Sequence, residues 1–184
     1  MLGYIKVYDN VLDNIDCNKL IKGYEENLHK ARMIDSPGDK YYFMKCSDNL
    51  RWDSYSNKVV ELMQLLYKQY RQDTGMKINR QVPDKYVLED PYMEKYNPDH
   101  DFRKRIHSDS QDSFTSHRFL SMTIYLNSVS PGGETDFTPN IKFKMNPQQG
   151  SVIIFPSYWG YYHKENHCSG QTPKYTINTH LKYL

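Results

Sequence analysis

His107-Ser108-Asp109 sets an imidazole and a carboxylate two residues apart. In an extended segment such residues point to the same side, so both can address one point in space. The pair suits a divalent first-row metal, and a second imidazole would complete one face of an octahedron. Two histidines and one carboxylate leave the other positions open, which is the ligand set of non-haem Fe(II) chemistry. Candidates for the second imidazole are His100, His117, His163, His167 and His180. His163 follows an aromatic segment and the turn at Pro156-Ser157, and His167 stands four residues further on. His29 lies in a helical stretch and reads as a surface residue.

A second group of residues lies downstream. Lys174 opens the alternating run Lys174-Tyr175-Thr176-Ile177-Asn178-Thr179-His180, in which Lys174, Asn178 and His180 share one face. A lysine at a strand start is ordinarily solvated. Beside a buried metal it can pair with the far carboxylate of a dianionic ligand, through charge-assisted hydrogen bonds of about 1.5–3 kcal/mol each.

The elements that must position these residues follow from periodicity. In the first half, Asp16 can cap a helix whose stripe is Leu20, Ile21, Tyr24 and Leu28. Val59, Val60, Leu62, Met63, Leu66, Tyr67 and Tyr70 form a second stripe, closed by Gly75. Between them, from Ser36-Pro37-Gly38 to about Asn49, the chain is tyrosine-rich and punctuated by turns. After Pro83 short runs rich in Val, Ile, Tyr, Phe and Thr alternate with turns. The predicted strands are Tyr86–Tyr96, Phe119–Leu126, Glu134–Phe137, Ile141–Met145, Ser151–Phe155, Tyr161–His163 and Lys174–Tyr183. Strong turns separate them at Ser130-Pro131-Gly132-Gly133, Asn146 to Gly150 and Ser169 to Pro173. The expected fold is mainly β with supporting α-helices, a double-stranded β-helix or jelly roll. Residues 1–184 are read as one domain, with 1–82 mainly helical support and 83–184 the core that carries the site.

Composition narrows the function classes. Three scattered cysteines, Cys17, Cys46 and Cys168, make neither a disulfide framework nor a CxxC zinc site. A net charge of +2 with interleaved signs shows no basic face for nucleic acid. No apolar run approaches the roughly 20 residues of a membrane span, and Met1-Leu2-Gly3-Tyr4-Ile5-Lys6 lacks the build of a secretory signal. A cytoplasmic protein with no membrane partner is expected; oligomeric state is not encoded in any visible pattern.

From Tyr92 to Tyr183 the chain resembles the 2-oxoglutarate/Fe(II) dioxygenase superfamily, in its prolyl 4-hydroxylase-like branch. The matching pieces stand in family order: Tyr96, His107-Ser108-Asp109, Thr123-Ile124-Tyr125-Leu126-Asn127, Gly132-Gly133-Glu134-Thr135-Asp136-Phe137, Pro147-Gln148-Gln149-Gly150-Ser151, His163, and Gly170 to Lys174-Tyr175. The opening Val7 to Leu12 is similar to the start of such domains. The resemblance implies that His107, Asp109 and His163 hold the metal and are catalytic, His163 being preferred to His167 by its distance to Lys174. It implies that Lys174 pairs the C5 carboxylate of 2-oxoglutarate, with the Tyr125 hydroxyl as a second donor. Tyr96 would line the same pocket, bordered by Asn178 and His180. Fe(II), 2-oxoglutarate and O₂ are the implied cofactors, with ascorbate as an auxiliary reductant. Two departures stand out. The loop from Tyr96 to His107 is charged (Asp99, Asp101, Arg103, Lys104, Arg105) where the family commonly has glycine, and Lys174 takes the place of the arginine of some branches, as in collagen-type hydroxylases.

The resemblance implies hydroxylation of a C–H bond, in a prolyl residue of a peptide or protein or in a free amino acid. Tyr41, Tyr42, Phe43 and Lys45, with the charged loop, are the expected rims of the entrance. Two other readings use the same residues. A cupin-like metal isomerase, or a non-catalytic ligand-binding roll, would not need Lys174 and Tyr125 together. A nucleic-acid-directed oxygenase typically carries two arginines on the last strand, where this chain has Lys174 and His180.

Overall fold

The computed structural model describes residues 3–36, 39–48, 53–75, 82–98 and 105–184. Asp13 starts the first helix, α1 (Asn14–Glu26): its side chain accepts from the Asp16 amide at 2.7 Å. The cap thus lies three residues before the expected Asp16, because the cap must precede the amide that it satisfies. Cys17, Leu20 and Tyr24 form the buried stripe of α1. The second helix, α2 (Asp53–Asp73), buries Val59, Met63, Leu66, Tyr67 and Tyr70. Beyond it Gly75 takes φ +71°, a left-handed exit that glycine adopts without strain. No described helix is long and apolar enough to cross a membrane.

The strands are β1 (Lys6–Tyr8), β2 (Arg32–Ser36), β3 (Asp39–Lys45), β4 (Tyr86–Leu88), β5 (Tyr92–Tyr96), β6 (Arg118–Tyr125), β7 (Thr135–Asp136), β8 (Lys144–Met145), β9 (Val152–Pro156), β10 (Lys164–Glu165) and β11 (Lys174–Tyr183). They pair antiparallel in two sheets. The large one runs β1-β9-β6-β11-β5-β3-β2, with β4 added along β11; the small one runs β10-β7-β8. Three strands of the large sheet come from the first half of the chain, which is therefore more than helical support. The expected strand Tyr86–Tyr96 divides at Glu89–Pro91, and Tyr161–His163 is a 3₁₀ turn followed by one isolated bridge.

Alternation then sorts the two faces of the large sheet. Leu120, Met122 and Ile124 of β6, with Tyr175, Ile177 and Leu181 of β11, join Met44, Met93, Val152, Ile154 and the helix stripes in one core. The helices buttress that face. The opposite face is polar. Register sets Tyr96 opposite Lys174, Glu94 opposite Thr176 and Tyr92 opposite Asn178. On the other side of β11 it sets Tyr125 opposite Thr176, Thr123 opposite Asn178 and Ser121 opposite His180. This ladder faces the small sheet across the roll, and the three-dimensional arrangement is the jelly roll expected from the turn pattern.

Candidate metal centre

The two histidines are brought together by backbone. His107 and His163 form an isolated antiparallel bridge, each amide donating to the other's carbonyl at 2.9 Å. Asp109 follows in a bend rather than a strand, so HxD geometry here arises from the bridge and the bend together. Asp109 Oδ1 lies 3.3 Å from His107 Nε2 and 3.8 Å from His163 Nε2. The three candidate ligand atoms all fall within 4.8 Å of one another.

The donor set fits a cation. His107 Nδ1 is 2.8 Å from the Arg105 carbonyl oxygen, and His163 Nδ1 is 3.2 Å from that of Tyr161. A carbonyl only accepts, so each Nδ1 carries the hydrogen and each Nε2 presents its lone pair. Two lone pairs and a carboxylate oxygen then converge with no hydrogen among them. A metal ion resolves that repulsion. Phe155 and Phe137 pack on the His163 ring at centroid distances of 4.8 and 5.4 Å. Burial pushes the imidazole down to about 4, keeping it neutral over the ordinary pH range.

Asp109 has a second set of contacts that the sequence did not reveal. Its Oδ2 accepts from Ser121 Oγ at 2.6 Å and lies 3.6 Å from His180 Nε2. Ser121 in turn touches Ser157 Oγ at 2.8 Å. His180 Nδ1 is 3.1 Å from Glu89, which is gripped by both Nε and Nη2 of Arg118 at 2.9 and 2.8 Å. Burial by itself raises the Asp109 carboxyl, but the surrounding histidines hold it well below its ordinary value. His180 moves the other way: burial lowers it, and Asp109 and Glu89 outweigh that and raise it.

Deeper in the roll lie the residues expected to hold a co-substrate. Lys174 is 1% exposed; its ammonium donates to the Gly133 carbonyl at 2.8 Å and pairs with Glu165. It lies 5.2 and 5.5 Å from the ring centroids of Tyr96 and Tyr125. The Tyr125 hydroxyl bonds Thr135 Oγ1 at 2.7 Å, and Thr135 donates to Glu165 at 2.8 Å. Asn178 donates to Glu94 at 3.0 Å and accepts from Thr123 at 2.7 Å, while Tyr96 donates to Glu94. Tyr96, Asn178, His180, Asp109 and His163 all line one small internal cavity.

His163, rather than His167, joins the ligand cluster; His167 instead gives its carbonyl to the Gly133 amide at 2.9 Å. That turn requires glycine: Gly132 has φ +90°, and a Cβ on it would sit 2.1 Å from the His167 carbonyl oxygen. His117 is exposed, and His100, Asp99, Asp101, Arg103 and Lys104 lie outside the described residues. At the mouth, a cavity of about 590 Å³ is lined by Tyr41, Phe43, Tyr92, His107, Asp109 and Arg118, among others. Tyr42, expected on the same rim, faces the helices instead, as its odd-even position on β3 dictates.

Glu89, Ser121 and Arg118 were not read from sequence, since only the folded register brings them in, and Thr135 stood in the Gly132–Phe137 motif with no role assigned. Glu165 did leave a signal. It stands two residues after His163 and so on the same side of an extended segment.

No curated protein matches the chain by sequence. The fold is that of solved prolyl hydroxylases. A viral collagen prolyl hydroxylase from Paramecium bursaria Chlorella virus-1, solved with 2-oxoglutarate, superposes with a TM-score of 0.69 at 20% identity, covering 98% of this chain and 96% of that one. A Pseudomonas putida prolyl-4-hydroxylase gives 0.67 at 14% identity over 99% and 94%. A Trichoplax adhaerens prolyl hydroxylase, solved with a hypoxia inducible factor oxygen degradation domain peptide, gives 0.70 at 12% identity over 98% and 84%. The sequence itself matches the family model of the 2OG-Fe(II) oxygenase superfamily over residues 92–182, the span that runs from β5 to the last residue but one of β11 and holds every residue of the candidate metal cluster. That match favours an oxygenase over a cupin-like isomerase or a non-catalytic roll: the chain belongs to the 2OG-Fe(II) oxygenase superfamily.

Proposed function

We propose that this Fe(II)- and 2-oxoglutarate-dependent dioxygenase hydroxylates a prolyl residue in a peptide or protein, with His107, Asp109 and His163 holding the iron. The observation that carries the metal assignment is the convergence of two imidazole lone pairs and one carboxylate oxygen, each fixed from behind by a hydrogen bond. Lys174 is the partner for the C5 carboxylate of 2-oxoglutarate, aided by Tyr125 and Thr135, with Tyr96, Asn178 and His180 around it. When bound, Fe(II) would activate O₂, the oxidant, which takes two electrons from 2-oxoglutarate, released as succinate and CO₂, and two from the C–H bond that becomes C–OH.

The chain's own residues do the rest. The His107–His163 bridge orients both imidazoles. Ser121 and His180 hold Asp109 Oδ2 so that Oδ1 faces the metal. Phe137 and Phe155 keep water from the His163 side. A peptide substrate is supported by the open, aromatic-rimmed cavity beside His107 and Asp109, and by the relatives, two of which carry collagen or a hypoxia-factor peptide in their names.

Anaerobic addition of Fe(II) and then 2-oxoglutarate is expected to give the weak visible metal-to-ligand charge-transfer band. Asp109→Ala should abolish it, and Lys174→Ala should shift its 2-oxoglutarate dependence upward by at least about tenfold. Mass spectrometry of proline-rich peptides incubated with the complete system should find one added oxygen on proline. Iron binding without the band would overturn the cofactor roles. A band with no turnover of any prolyl peptide would leave those roles standing and refute the substrate.

A further inference from the structure

Lys174 already has a carboxylate. Glu165 pairs with its ammonium, and the other Glu165 oxygen accepts from Thr135 at 2.8 Å, so one side chain engages two of the three groups assigned above to the co-substrate's distal end. Tyr125 joins the same chain through Thr135. Glu165, Thr135 and His163 line the internal cavity, and Lys174 stands behind them. That cavity measures about 20 Å³, room for roughly one water and far short of a five-carbon dicarboxylate.

We propose that Glu165 is a resident competitor for the co-substrate seat: its carboxylate occupies Lys174 in the free protein, and 2-oxoglutarate binds only by displacing it. The inference rests on the reading of Lys174 given under Proposed function. The element that carries Glu165 suits an exchange. β10 has two residues, sits at the edge of the small sheet and, among the described residues, pairs with β7 alone, at Lys164↔Asp136 and Glu165↔Thr135. The exchange replaces one charge-assisted pair by another, so Lys174 keeps a counter-charge in both states and the seat stays closed to water between cycles. It also sets specificity. A 2-oxo acid without a distal carboxylate offers Lys174 nothing to replace Glu165 with and is rejected. The competition raises the 2-oxoglutarate concentration needed for half-saturation.

The test is anaerobic calorimetric titration of the Fe(II)-loaded protein with 2-oxoglutarate, in wild type, Glu165→Gln and Glu165→Ala, with Glu134→Gln as a control for simple loss of nearby negative charge. Glu165→Gln, which keeps the shape, is expected to bind at least about tenfold tighter, and Glu134→Gln no tighter than wild type. Melting of the metal-free proteins gives a second readout. Glu165→Gln should melt below wild type, because Lys174 loses its counter-charge. With Fe(II) present, 2-oxoglutarate should then raise its melting temperature by more than it raises that of wild type. Equal or weaker binding by Glu165→Gln, or equal tightening by Glu134→Gln, overturns the proposal while leaving the cofactor assignment intact. No binding of 2-oxoglutarate to any of the iron-loaded proteins, wild type included, sinks both.

Discussion

At the scale of single residues, Asp109 is held from two directions. Oδ1 faces the imidazoles, and Oδ2 is fixed by Ser121 and by His180, itself backed by Glu89 and Arg118. Contacts behind a metal ligand set its orientation, and their loss typically lowers metal affinity about 10–100-fold. His180→Ala is expected to fall in that range, and Ser121→Ala to lose less, when Fe(II) affinity is measured by competition with a chelator. An unchanged affinity in His180→Ala would reduce the residue to a bystander. The sequence made the candidate ligands legible because His107 and Asp109 stand two residues apart and His163 follows an aromatic segment. It hid Ser121, Glu89 and Arg118 because nothing local marks them. Ser121 reaches the site only because β6 pairs with β11 in the register that sets it opposite His180.

Among the elements, α2 shows what periodicity can and cannot tell. Its buried stripe stands where helical spacing puts it, and Met63, fully buried, sits at its centre. Met63→Ala is expected to destabilise the protein by about 2–5 kcal/mol, read by denaturant unfolding, through lost burial plus the cavity left behind. β3 escaped the same reasoning. Its Tyr41 and Phe43 face the roll's mouth while Tyr42 and Met44 face the helices, so both sides are aromatic or apolar and no polar alternation shows. β10 is too short for any pattern. β11, by contrast, was legible at both ends, since its apolar and polar faces separate cleanly. The turn at Gly132 belongs to this scale too. Gly132→Ala must either leave its left-handed conformation or displace the His167 carbonyl, and a destabilisation of more than about 1 kcal/mol is expected in the same unfolding assay.

For the whole molecule, the face of the large sheet opposite the helices is a polar interior, and its charges couple folding to pH. Burial acts to raise the Glu89 carboxyl, but its bonds to His180 and Arg118 outweigh that and hold it below the ordinary 4.5. A carboxylate depressed in the folded state contributes stability that is complete above its unfolded value and drains away as pH falls through the folded one. The metal-free protein is therefore expected to lose stability below about pH 4.5. Glu89→Gln should be less stable at neutral pH, where Arg118 and His180 lose their partner. It should also lose less on acidification, as denaturation curves across that range would show. A mutant profile parallel to wild type would mean that other groups govern acid unfolding.

The reciprocal amide–carbonyl pair between His107 and His163 bears on how such a chain can vary. The position of His107 is dictated by its partner across the bridge, not by counting residues from the end of β5. The separation of the two imidazoles is thereby set by backbone groups, whatever side chains stand beside them. Substitution of Ile106 or Tyr162, both exposed beside the bridge, should leave Fe(II) affinity unaltered, so the flanking side chains can drift while the backbone pairing that aligns the two imidazoles is kept.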